Sequence, residues 1–255
     1  MNKKRSKDRI KRLIAGVLIL GSLIAVFIPL YMYFSVDVSA LANQYPHLKI
    51  KNQRVESLEI QKKRPGYWSP LNQISSYGKW AIILSEDWAF YQHQGVDTEQ
   101  MKVALEEMVS EFRFRGASTI TQQMVKNVFL SDARSLWRKT HELILTHKVE
   151  SHLSKSRILE IYLNSIEYGP GIYGIRNASK HYFRKDPAYL NPREAAFLAM
   201  LLPSPKRYYE SFRKKSLTPF ARKRVKAILQ KMKMAKVITS DQYSDYLYSQ
   251  FFWER

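Results

Sequence analysis

RGASTITQQMVKN, residues 115–127, opens as a helix and carries an unusual density of uncharged donors. Thr119 followed three positions later by Gln122 is a capping box, which satisfies backbone N–H groups at a helix start. Ser118, Thr119, Thr121, Gln122, Gln123, Lys126 and Asn127 fall within ten positions, with Gln122/Lys126 and Gln123/Asn127 spaced i,i+4. A merely solvated helix face would use Glu and Lys. Free N–H groups and hydroxyls at a helix N-terminus instead suit phosphate or sugar oxygens.

Upstream, SEDWAFYQHQG (85–95) ends an apolar helix and delivers Glu86, Asp87 and His93 into a polar, aromatic-rich turn. A carboxylate beside an aromatic wall can have a raised pKa and act as a general base. Alone, an acidic pair after a helix is more often a solvated helix end. Downstream, RKTHE (138–142) puts Arg138 and Glu142 at i,i+4, with Lys139 three residues from Glu142. Arg supplies a fork of donors and Lys a point charge, a combination suited to a pyrophosphate. Alone, the same trio reads as a surface ion pair worth about 0.3–0.5 kcal/mol.

The remaining periodicity is helical. Ile74, Tyr77, Ala81 and Leu84 share a face, and Asp97 with Gln100 marks another helix start. Helices are expected over about 132–152, from Lys155 to Asn164, and from Pro192 to the prolines at 203 and 205. Ala221, Val225, Ile228, Leu229, Met232 and Ala235 line one side of an amphipathic, basic last helix. An extended segment or hairpin fits between 45 and 72, and 168–174 is a Gly-rich loop. The expected division is a basic tail (1–12), a transmembrane helix (13–34), a connector (35–64), a helical domain (65–240) and a tail (241–255).

The 255 residues carry a formal charge of +20 and no cysteine, which excludes disulfides, thiolate metal sites and cysteine nucleophiles. Residues 1–12 hold seven Lys or Arg against Asp8, and Leu13–Phe34 is a charge-free run of 22 residues. At 1.5 Å per residue that run reaches about 33 Å, enough for a bilayer core of about 30 Å. The basic flank places the N-terminus in the cytoplasm and the bulk of the chain outside. A cleaved signal sequence ending at Val38-Ser39-Ala40 is the rival reading. Twelve Lys or Arg against Glu210 lie between 206 and 236, a surface suited to anionic lipid head groups. Nucleic acid fits poorly with an exported domain and is not expected as a partner.

These segments together resemble the peptidoglycan glycosyltransferase family, the transglycosylase module of penicillin-binding proteins. Its blocks appear in order: Glu86-Asp87, Phe90, His93 and Gly95; Gly116 to Asn127; Arg138, Lys139 and Glu142; Ser154 to Asn164; and Arg193-Glu194-Ala195-Ala196 with Pro203 and Pro205. The resemblance covers about residues 65–240. No S-x-x-K with a downstream K-T-G follows, so it resembles the monofunctional form.

The resemblance implies a mainly α, lysozyme-like, two-lobed domain on one N-terminal transmembrane helix. It implies polymerisation of lipid II into β-1,4-linked glycan with release of undecaprenyl pyrophosphate and inversion at C1. Glu86 would be the base, and Glu142 the second catalytic glutamate. Glu142 would either orient the cations or hold a divalent ion, Mg2+ or Mn2+, at the pyrophosphate; no organic cofactor is implied. Ser118, Thr119, Gln123, Lys126, Asn127, Arg138 and Lys139 would bind substrate, with Asp87, Phe90 and His93 in support. Phe112 and Phe114 would dip into the outer leaflet. The implied partners are lipid II, the growing lipid-linked chain, membrane phospholipids, penicillin-binding transpeptidases and divisome or elongation proteins. The implied location is the bacterial inner membrane, with the catalytic domain periplasmic. A wall-cleaving hydrolase and a non-enzymatic scaffold are the rivals. The pyrophosphate-type cation cluster argues against the first, and intact Glu86 and Glu142 against the second.

Overall fold

The computed structural model describes the backbone of residues 2–111, 116, 118–130 and 135–254, and their side chains except at 2–10, 105, 109 and 111. Phe112 and Phe114, expected at the membrane, lie outside the described residues. The protein is mostly helical.

Helix α1 (Asn2–Phe34) is long and apolar enough to cross a membrane, and none of its apolar window is buried in the protein. The chain then turns through Ser39–Ala42, where Val38 and Leu41 are fully buried. A cut after Ala40 would therefore fall inside a packed segment. Strands β1 (Tyr45–Lys51) and β2 (Arg54–Gln61) form the expected hairpin. Its two-residue turn, Asn52-Gln53, has φ of 50° and 59°, the left-handed geometry that matches the twist of paired strands.

The helices fall into two packing groups. The first joins α2 (Ser76–Glu86), α8 (Pro192–Leu201) and α11 (Pro219–Met234). The second joins α4 (Ile120–Phe129), α5 (Leu136–His152) and α6 (Lys155–Ser165), with α1 against α5 and β1 against α6. Between them in sequence lie α3 (Thr98–Glu111), the short strands β3 (Glu167–Gly169) and β4 (Ile172–Tyr173), and α7 (Ile175–Phe183). Helix α8 is buried along its whole length, as its near-continuous apolar sequence requires. Two short helical turns, α9 (Pro205–Tyr208) and α10 (Glu210–Arg213), lead into α11.

The expected cap at Thr119 is present, and the helices expected from Lys155 and from Pro192 begin on the side-chain caps Ser154 and Asn191. Within the stretch expected as a C-terminal tail, residues 241–254 pack onto the domain. Helix α12 (Ser240–Tyr248) begins with a Thr239–Gln242 capping box, and Phe251 and Trp253 bury themselves against Phe197. Single aromatics at a chain end show no periodicity, so the pattern in sequence ended before the packing did.

Two anchoring contacts position the domain. Lys148 on α5 is 8% exposed, and its ammonium donates to the carbonyls of Tyr33 and Val36, both at 2.6 Å. Asn164 on α6 pairs with the backbone of Ser69 in both directions, and Glu160 accepts from the Trp68 indole and the Leu71 amide. The fourth block thus fastens the entry segment to the domain.

Candidate active site

Glu86 is the last residue of α2, half-buried at the junction of the two helix groups. Its carboxylate accepts from Nε2 of Gln123 on α4 at 3.1 Å. Burial pushes its pKa above the ordinary glutamate value. The Gln123 N–H and the charges of Arg224 and Lys231 oppose that rise, and Asp87 adds to it. A carboxylate shaped this way can both exist ionised and take a proton, as a general base must.

The turn after Glu86 is built by Asp87. One carboxylate oxygen accepts from the Ile120 amide at 2.9 Å, at the first residue of α4, and the other is 2.9 Å from Nε2 of His93. Nδ1 of His93 accepts from the Gly95 amide at 3.1 Å, which puts the ring proton on Nε2 facing Asp87. Thr119 closes the circuit by donating its hydroxyl to the Gly95 carbonyl at 2.6 Å. Gly95 is at φ +86°, and a Cβ there would stand 2.6 Å from Cγ2 of Thr146. Phe90 is fully buried under the ammonium of Lys155, 4.6 Å from the ring centre. Asp87, Phe90 and His93 frame the Glu86 turn.

Thr119 is the helix cap that its spacing from Gln122 predicts. It is buried, caps α4 through Gln122 and bonds Gly95, so its hydroxyl is committed to the fold. Cap and ligand roles ask for the same residue types, so the sequence does not separate them. Ser118 is exposed beside it, and its carbonyl lies 3.4 Å from Gln123 Nε2. Lys126 and Asn127 are exposed one turn further along α4.

On α5, Glu142 is 3% exposed and accepts from Arg138 at 2.8 Å and from Lys139 through its other oxygen. The buried Nε of Arg138 has no hydrogen-bond partner among the described residues. Helix α5 packs on α4, so this cation pair adjoins the helix that carries Gln123 and Lys126. Asp87, His93 and Asp97 bring ligand atoms within 4.8 Å of one another, but Asp97 caps α3 through the Gln100 amide and the other two hold the turn.

The sequence reading missed the part played by α11. Lys231 donates to the Leu84 carbonyl at 2.8 Å, near the end of α2, and its charge and that of Arg224 bear on Glu86. The only signal was their place in a basic helix, where every Lys and Arg reads alike. Tyr162 on α6 was also given no role. It is fully buried, and its hydroxyl donates to Oε1 of Gln123 at 2.8 Å.

The sequence that folds into this helical domain on an apolar anchor is similar to those of known proteins. Residues 51–233 match the family described as Transglycosylase, and the chain belongs to that family. The biosynthetic peptidoglycan transglycosylase of Aromatoleum aromaticum is 39% identical over 201 residues, covering 75% of this chain and 87% of the relative. That of Janthinobacterium sp. is 35% identical over 236 residues, covering 89% and 97%. That of Nitrosomonas eutropha is 41% identical over 171 residues, covering 67% and 68%.

Proposed function

We propose that the protein polymerises lipid II at the outer face of the bacterial inner membrane, with its N-terminus in the cytoplasm. The observation that carries this reading is Glu86, a carboxylate of raised pKa held by Gln123. A cation pair stands on the helix packed against that of Gln123.

Glu86 takes the proton from the 4-hydroxyl of the acceptor sugar. The hydroxyl oxygen bonds to C1 of the reducing-end sugar of the growing chain, on the face opposite the leaving group. The bond from C1 to the pyrophosphate oxygen breaks, and its electron pair leaves with undecaprenyl pyrophosphate. The configuration at C1 inverts to β. Lys126, Arg138 and Lys139 stabilise the charge gathering on the pyrophosphate, whose binding also supplies the orphan Arg138 Nε with a partner. Ser118, Gln123 and Asn127 position sugar or phosphate oxygens. Both substrates are lipid-borne, which suits a domain fastened to its membrane helix through Lys148.

A divalent cation, Mg2+ or Mn2+, would add charge stabilisation at the pyrophosphate. Each carboxylate oxygen of Glu142 already accepts from one cation, Arg138 or Lys139, which favours a role in holding them over metal ligation. Its geometry suits aiming those two cations. The leaving group is already activated, so the reaction needs no organic cofactor. The product strands suit crosslinking by penicillin-binding transpeptidases, working with division or elongation proteins.

The test offers the detergent-solubilised protein two substrates, lipid II and preformed uncrosslinked glycan, with products resolved on a gel. Long strands from the first support the proposal. Cleavage of the second without strand synthesis favours a hydrolase and overturns it.

A further inference from the structure

The geometry points to Tyr162 as a positioning residue that sets the proton affinity of Glu86 through the side-chain amide of Gln123. This rests on Glu86 being the base.

A glutamine amide can face a neighbour with either end. With the NH2 toward a carboxylate it favours the ionised acid; with the carbonyl oxygen toward it, it favours the protonated acid. The two orientations have nearly the same shape, so only hydrogen bonds choose between them. Gln123 lies between Glu86 and Tyr162, with the Ser118 carbonyl, 3.4 Å from its Nε2, as a weaker third partner. Its Nε2 donates to Glu86 Oε2 at 3.1 Å, and its Oε1 accepts from the Tyr162 hydroxyl at 2.8 Å. The choice is fixed at the Tyr162 end. Burial drives the phenol pKa far upward, so the hydroxyl keeps its proton and remains a donor. Among the described residues Gln123 Oε1 is the one acceptor this buried O–H meets, so turning the amide would leave the O–H unpaired; this favours the carbonyl toward Tyr162 and the NH2 toward Glu86. Tyr162 touches neither reacting group, and its ring is held by the packing of α6.

The other groups facing Glu86 do not make this choice. Asp87 adjoins it on its own turn, and Arg224 and Lys231 face it from α11. All three stay in place when the Tyr162 hydroxyl is removed, so their charges are a constant background. His93 is taken up by Asp87 and Gly95.

Replacing Tyr162 by Phe keeps the ring and deletes the donor. The amide is then free to turn, and the protonated form of Glu86 gains an acceptor. The experiment follows the ionisation of Glu86 by 13C NMR of glutamate-labelled, detergent-solubilised full-length protein, assigned against Glu86→Gln. Wild type, Tyr162→Phe and Gln123→Met are compared, with thermal melts as a folding control. The Glu86 midpoint is expected to rise in Tyr162→Phe and in Gln123→Met, and no further in the double variant. The polymerisation rate of Tyr162→Phe is expected to fall about tenfold on the acid limb and little at high pH, the effect of one lost hydrogen bond to a charged group.

An unchanged Glu86 midpoint in a folded Tyr162→Phe protein overturns the proposal. So does an unchanged midpoint in Gln123→Met, which decides the matter even if the Phe variant fails to fold. A rate loss equal at every pH also overturns it, since that is what a purely structural role gives. The NMR titration needs no turnover, so it separates failure of this relay from failure of the polymerase reading.

Discussion

The ammonium of Lys148 donates to the Tyr33 carbonyl at 2.6 Å, joining the helix of the cation cluster to the exit of the apolar anchor. It bonds the Val36 carbonyl as well and lies 4.7 Å from the centre of the Tyr33 ring. These carbonyls lie at and just beyond the end of α1, where intrahelical donors run out. One buried lysine thus caps the end of α1 and sets how α5 stands against it.

Lys148→Met fills the same volume without the donors. The two carbonyls lose their partner, and stability should fall by about 1–3 kcal/mol. A melt in detergent should show a drop of several degrees, with less loss for Lys148→Arg. A Met variant that melts like wild type would show that the cap contributes nothing.

With Glu86 as the proposed base, the acid limb of the rate profile should follow its carboxyl, whose pKa is raised by burial and held back by Gln123, Arg224 and Lys231. Activity should therefore appear only above the ordinary glutamate range. Arg224→Met removes a charge that favours the ionised carboxylate, so the limb should move to higher pH. A limb that moves down, or stays, contradicts the assignment of Arg224 to this field.

Gly95 is required by two independent constraints, its φ of +86° and the 2.6 Å approach a Cβ would make to Thr146 Cγ2. Gly95→Ala should cost about 1–3 kcal/mol and loosen the turn that carries Glu86. Adding Thr146→Ser removes Cγ2 but leaves the backbone strain, so melting temperature should recover only in part. Complete recovery would mean that the left-handed backbone costs nothing here.

Glu142→Gln leaves Arg138 and Lys139 without their shared counter-charge. The expected cost is about 1–3 kcal/mol, below that of a fully buried pair because both cations reach solvent. Polymerisation should slow. If Glu142 aims the cations and does not bind metal, the Mg2+ concentration giving half-maximal rate after chelation should match wild type. A large increase in that concentration would make Glu142 a metal ligand.

Local structure was legible where a few adjacent residues decide it. The Thr119–Gln122 box, Pro192 at a helix start and the apolar face of α11 all appear as read. Among the candidate site residues, the contact within the Arg138–Lys139–Glu142 trio follows directly from its helical spacing. What escaped was side-chain direction. Nothing near Tyr162 says that it meets Gln123, 39 positions away, or that Lys231 rather than another α11 lysine reaches Leu84. Thr119 shows the opposite ambiguity, since one hydroxyl suits two readings and the fold uses it for the cap.

The most direct test of the central claim is the initial rate of lipid II polymerisation by the solubilised protein beside Glu86→Gln. Gln keeps the shape and loses the base. Strand synthesis by wild type and a fall of at least about a hundredfold in a folded Glu86→Gln protein are predicted. Comparable rates for the two would contradict Glu86 as the base on the acceptor hydroxyl.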